Sequence, residues 1–245
     1  MQQIDIKEVA KKYNGIETVW DSNDKWHLIT HKMIKDFIWS ASSEITQWHK
    51  LKILNAGSCG YSYGLDEQNI THIDIAEQKL VNIKNAIVGS IEDIPLSRES
   101  IDMIICVGSV LNYCDPVKVL SEFKRVLAKD GYLILEFENS RTFELLGKSS
   151  FNKRAALVET FYHGQKEKLW FFAESYIREL GELNGFEITK IARCHILSPL
   201  VYRFSKNENF ASKYSKWDHF CSRVPYLRNF SSNTVFLLRK QNVTG

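Results

Sequence analysis

Residues 53–64, ILNAGSCGYSYG, carry a short apolar run into a turn of small residues. At the carboxyl end of a buried strand, missing side chains let a ligand approach the backbone. The dinucleotide fingerprint GxGxxG would need glycine at 57, 59 and 62, but the chain has Gly57, Cys59 and Ser62. That pattern argues against a pyrophosphate. Seventeen residues after Gly57, the stretch THIDIAEQKL brings a second apolar run to Asp74. A carboxylate there can accept two hydrogen bonds from a vicinal diol, as a ribose presents. It can equally cap a helix starting near Ala76, and the two roles are compatible.

These residues need a sheet to hold them. LKILNA, THIDI, NAIVG, SIDMIICVG and GYLILEFE read as five strands between residues 51 and 140. A helix is expected after the glycine turn. PVKVLSEFKRVLAKDG reads as another, with Val119, Leu120, Phe123, Val126 and Leu127 on one face, Pro116 in its first turn and Gly131 as its stop. Strands alternating with helices imply βαβ units in a buried parallel sheet. Before them, Trp26, Ile29, Met33, Phe37 and Ile38 recur at helical spacing. After them come a helix over 173–184 stopped by Gly185, a sixth strand in FEITKIARCHI and a seventh in SNTVFLLRK. The aromatic and basic stretch between those last two strands is long for a loop and should hold short helices.

The order of these features resembles the class I S-adenosylmethionine-dependent methyltransferases, of the type 11-like methyltransferase domain. The matching segments are ILNAGSCG, HIDIA, SIEDIPL, IDMIICVGSVLNYCDP, EFKRVLAKDGYLILEFE and ESYIRELGELNGFEI. They cover residues 50–196, and the last strand extends the match. The resemblance implies an α/β fold: a Rossmann-like, doubly wound, seven-stranded sheet in the order 3-2-1-4-5-7-6 with the last strand antiparallel. It also implies one domain. Residues 1–50 form an N-terminal helical lid and 51–140 the cofactor-binding core. Residues 141–245 complete the sheet, with acceptor-side insertions after strands five and six.

The same resemblance implies S-adenosyl-L-methionine as cofactor. Ala56, Gly57 and Ser58 would line its methionine part, Asp74 would hold the ribose and Ile75 would meet the adenine face. Ser90 and Ile91 would meet the adenine edge, Val107 would back the pocket, and Tyr13 would close it as part of the lid. Three positions depart from the pattern: the first-strand acid is Asn55, the second loop glycine is Cys59, and the adenine-binding acid is Ser90. The expected reaction is methyl transfer to the oxygen or nitrogen of a small-molecule or sugar- or lipid-linked acceptor. A degenerate, non-catalytic binding protein and an RNA methyltransferase are the alternatives. A hydroxyl or amine acceptor can need a proton acceptor. Tyr113, Glu138, His163 and His195 are candidates, beside Asn112. His163 leads because the insertion after strand five should overhang the pocket.

Composition agrees with a folded globular protein. Hydrophobic residues are 44% and charged residues 25%, which excludes wholesale disorder. No apolar run approaches the ~20 residues of a membrane span, and the first residues show no signal peptide. Five scattered cysteines without CxxC fit a reduced cytoplasmic protein and give no zinc spacing, so no metal is expected. Residues 1–140 hold 15 Lys/Arg against 20 Asp/Glu, and residues 141–245 hold 17 against 9. The basic second part keeps a nucleic acid partner open without favouring it.

Overall fold

The structure is a computed structural model that describes residues 4–162 and 165–241. In chain order, its helices and strands begin with α1 (Ile6–Gly15), α2 (Lys25–Glu44), β1 (Ile53–Ala56), β2 (Ile70–Asp74) and β3 (Ala86–Val88). Next come β4 (Ile101–Cys106), α3 (Pro116–Val126), β5 (Leu127–Glu138), β6 (Ala155–Tyr162) and β7 (Gln165–Phe172). The chain closes with α4 (Glu174–Leu183), β8 (Phe186–Cys194), α5 (Ser198–Ser205), α6 (Glu208–Ala211), α7 (Asp218–Cys221) and β9 (Asn233–Lys240).

Seven strands form one sheet in the order β3-β2-β1-β4-β5-β9-β8. The first five run parallel, and β9 is antiparallel to both β5 and β8. This is the expected order, with β8 and β9 as its sixth and seventh strands. The central strands are buried on both faces, as near-continuous apolar runs require. On one face α3 and α4 bury Val119, Leu120, Phe123 and Ile177 against Leu54, Ile104 and Leu135. On the other, Ile34, Phe37, Ile38 and Ala41 of α2 pack on Ile53, Met103, Ile105 and Val235.

That second layer corrects the sequence reading. No α-helix follows the glycine turn; residues 57–66 are irregular and lead to a single 3-10 turn at Glu67–Asn69. Cys59, Gly60, Tyr63 and Gly64 all have positive φ, which breaks any helix there. The 20-residue α2 fills the vacant face instead. Of the two helices in the expected lid, α1 alone lines the cavity described below along its length, through Ile6, Val9 and Tyr13. α3 also ends earlier than expected, at Val126, and β5 starts at once, with Leu127 registered on Ile101. Gly131 is therefore not a helix stop. A Cβ there would lie 2.9 and 3.0 Å from the carbonyl oxygens of Ala128 and Asp102, so close backbone approach requires glycine.

The insertion after β5 contains an element that the sequence reading lacks. β6 and β7 pair as an antiparallel hairpin, a separate two-stranded sheet. Val158, Leu169 and Phe171 root it on Leu145. The stretch between β8 and β9 does hold short helices, α5 to α7. Among the described residues, no helix is long and apolar enough to cross a membrane.

Candidate active site

A cavity opens at the carboxyl ends of β1 to β5, with about 1180 Å³ of empty space including its open mouth. Its floor is the glycine turn. Gly57 has φ 71°, and a Cβ there would lie 2.4 Å from Val110. Both the conformation and the close approach of Val110 therefore require glycine. The Gly57 amide donates to the Ile73 carbonyl (2.8 Å).

Asp74, at the end of β2, holds this turn. One carboxylate oxygen accepts from the Cys59 amide (2.7 Å) and the other from the Ala76 amide (2.8 Å). Each oxygen keeps a lone pair for a further donor. The departures from the family pattern have structural reasons here. Asn55 donates from its amide to the Tyr61 carbonyl (2.5 Å), a bond that an aspartate could not make. Cys59 adopts φ 45° where a glycine would be relaxed. Burial, and then the Asp74 charge, push its thiol well up, so it stays protonated. Ser58 Oγ accepts from the Gly60 amide (3.2 Å) and bonds to His72 Nδ1 (2.9 Å).

Of the residues implied by the resemblance, Tyr13, Gly57, Ser58, Asp74, Ile75, Ser90, Ile91 and Val107 line the cavity. Ala56 does not: its side chain is buried within β1, in the core under the turn. His163 lies outside the described residues. Among the other candidates, Glu138 and Tyr113 line the cavity. Asn112 is a brace, bonded to the Glu138 amide (3.1 Å) and the Trp170 carbonyl (2.5 Å). His195 stacks on Trp26 (4.0 Å between centroids), with Nε2 bonded to Thr30 and Nδ1 to Ser198, so both nitrogens are engaged away from the cavity.

The sequence reading missed the roof. Tyr162 and Glu167, diagonal neighbours on one face of the hairpin, close over α1. Tyr113 donates to Glu167 (2.5 Å) and bonds to Tyr13 (3.0 Å), while Lys12 pairs with Glu167 and sits over the Tyr162 ring. The β-branched and aromatic residues of ALVETFY were the available signal, and only the hairpin pairing turns them into a roof.

A second cavity, of about 470 Å³, shares Trp26, His27, Glu138, Glu167 and Asn233 with the first. Glu144, Tyr202 and Glu208 belong to it alone. Its carboxylates are perturbed together. Burial first, then the charges of Glu136, Glu144 and Glu167, push Glu138 well above the usual carboxylate range. Burial likewise raises Glu136, Glu144 and Glu208. His27 Nδ1 is paired with Asp24 (2.6 Å), and Asp24, His27 and Glu208 bring one donor atom each within 4.8 Å of one another.

Known proteins agree with this architecture. A family model described as Methyltransferase domain matches residues 54–135. The uncharacterized protein MJ1252 of Methanocaldococcus jannaschii is 27% identical over 86% of this chain and 80% of its own length. Two solved structures share the fold. PH0226 of Pyrococcus horikoshii has a TM-score of 0.59 at 14% identity, covering 94% of this chain and 99% of its own. The 1,6-didemethyltoxoflavin-N1-methyltransferase of Burkholderia thailandensis, with S-adenosylhomocysteine bound, has 0.58 at 13% identity, covering 99% and 92%. Turn, acidic strand end and sheet order agree with the fold of these two structures, and residues 54–135 match the Methyltransferase domain model.

Proposed function

We propose that this enzyme holds S-adenosyl-L-methionine in the larger cavity and methylates a small-molecule acceptor seated in the adjoining one. Asp74 would hold the ribose, Ile75, Ser90 and Ile91 the adenine, and the backbone of Gly57 and Ser58 the methionine part. The glycine floor supports this fit, since a side chain at 57 would meet Val110. When bound, the cofactor supplies a methyl group on a sulfonium, a ready electrophile. The protein's share is alignment and exclusion of water. Tyr13 on α1, Tyr162 on the hairpin and Tyr113 would close the site, making residues 4–24 the lid and leaving α2 as part of the core. The insertions at 141–172 and 197–232 would shape the acceptor side, through Glu144 and Glu167 in one and Tyr202 and Glu208 in the other.

The observation that carries this reading is the continuity of the two cavities past Glu138, which lines both. Calorimetric titration with S-adenosylmethionine tests the first half. Release of S-adenosylhomocysteine on adding fractionated metabolite extracts tests the second. Cofactor binding without turnover on any extract would favour the non-catalytic alternative.

A further inference from the structure

Among the described residues, three carboxylates of the smaller cavity form no ion pair with a lysine or arginine. Glu138 comes from the end of β5, Glu144 from the turn that follows, and Glu208 from the start of α6. Three stretches distant in sequence, 138–144, β7 and α6, thus line one cavity with acids, Glu167 on β7 being the fourth acid. Glu167 is neutralised by Lys12. Among the described residues, Glu138, Glu144 and Glu208 form no ion pair, and no Lys or Arg lines the cavity. Among the described residues, Glu138 accepts a single side-chain hydrogen bond, from Ser109 Oγ (3.2 Å), and it lines both cavities. No side-chain hydrogen bond reaches Glu144 or Glu208 among the described residues. Lys148 and Lys206 act on Glu144 at longer range, and Glu208 lies within 4.8 Å of a His27 ring nitrogen, His27 being itself paired with Asp24.

Enclosing like charges without a partner is unfavourable, and a cation entering the cavity relieves it. The other lining groups decide which cation. Trp26, Phe161 and Tyr202 contribute rings, which attract organic ammonium groups through their faces. A bare divalent ion would instead seek a shell of oxygens and waters. Phosphate and carboxylate groups are repelled by the same acids.

Resting on the methyl-transfer reading above, we infer that the acceptor is a small organic amine. It is recognised as its ammonium form by Glu138, Glu144 and Glu208 against the rings of Trp26 and Tyr202.

The test titrates the protein, with and without S-adenosylhomocysteine, with phenethylamine, its alcohol analogue 2-phenylethanol, 3-phenylpropionate and magnesium chloride. The amine should bind at least about tenfold tighter than the alcohol, a difference of about 1.4 kcal/mol. The carboxylate should not bind. Glu144→Gln and Glu208→Gln should each reduce amine affinity several-fold while leaving S-adenosylhomocysteine affinity unchanged, which a merely misfolded cavity would not do. Equal binding of amine and alcohol, or binding of neither, overturns the inference. Magnesium binding that Glu208→Gln abolishes and the amine does not displace reassigns the cluster to a metal. If Glu138→Gln weakens S-adenosylmethionine but not S-adenosylhomocysteine or the amine, the acids serve the sulfonium and the inference fails. Failure of S-adenosylhomocysteine to bind would sink the methyl-transfer reading alone, because the amine arm is also read without it.

Discussion

At the scale of single residues, Asp74 holds the turn, and the proposed ribose contact would add a second job to the same carboxylate. Its oxygens hold the amides of Cys59 and Ala76, and the residue lines the cavity. Asp74→Ala should therefore weaken S-adenosylmethionine binding by about 1.5–3 kcal/mol, the loss expected when donors lose a charged acceptor. It should also lower thermal stability, because the turn is released. An affinity change below twofold by calorimetry would remove the ribose assignment. Cys59 makes the complementary case. Its φ of 45° is one that glycine adopts freely, and strain of this kind costs ~1–3 kcal/mol. Cys59→Gly should keep cofactor affinity, and its thermal midpoint should hold or rise. Loss of turnover with affinity and stability intact would give the thiol a chemical role, against its burial beside Asp74.

At the scale of elements, α1 and the β6–β7 hairpin meet over the cavity through a few polar contacts. Lys12 and Tyr113 both converge on Glu167, and Tyr162 donates to the Val19 carbonyl (2.6 Å). Little of α1 is buried otherwise; Val9 is its one buried residue. Its docking should therefore open far below the energy of global unfolding. Glu167→Gln removes the charge that Lys12 answers. The expected result is faster hydrogen exchange across residues 6–15 and several-fold weaker cofactor binding. The global denaturation midpoint should move little, since the sheet core is untouched. Unchanged exchange in α1 would show that the contact holds nothing closed.

At the scale of the whole molecule, buried titratable groups set opposing pH dependences. Glu136, Glu138, Glu144 and Glu208 titrate above 4.5 in the folded protein, chiefly through burial. As pH rises past 4.5 the folded state binds more protons than the unfolded, so stability falls until each group has ionised. His195 works the other way. Burial lowers it from 6.5 to about 3, so stability is lost as pH falls from 6.5 towards 3. Urea midpoints measured against pH should pass through a mildly acidic maximum. Glu138→Gln should flatten the limb above the maximum and His195→Gln the limb below it. A profile that neither substitution alters would contradict this account.

Much of this was legible in the chain. Apolar runs ending at Ala56, Asp74 and Cys106 are buried on both faces, so their period and order fixed the parallel core and the positions of Gly57, Asp74, Ser90 and Val107 at its carboxyl edge. Local pattern could not show which layer covers the face opposite α3. A break in the glycine loop and a long amphipathic helix 25 residues into the chain become one fact only when α2 packs there. The acidic cavity is the further case. Glu138, Glu144, Glu167 and Glu208 span seventy residues, and each looks like an ordinary surface acid in its own segment. Only the hairpin and the short helices after β8, folding back over β5, place them around one enclosed space. Burial there is a property of the assembled neighbours, and no local sequence period encodes it.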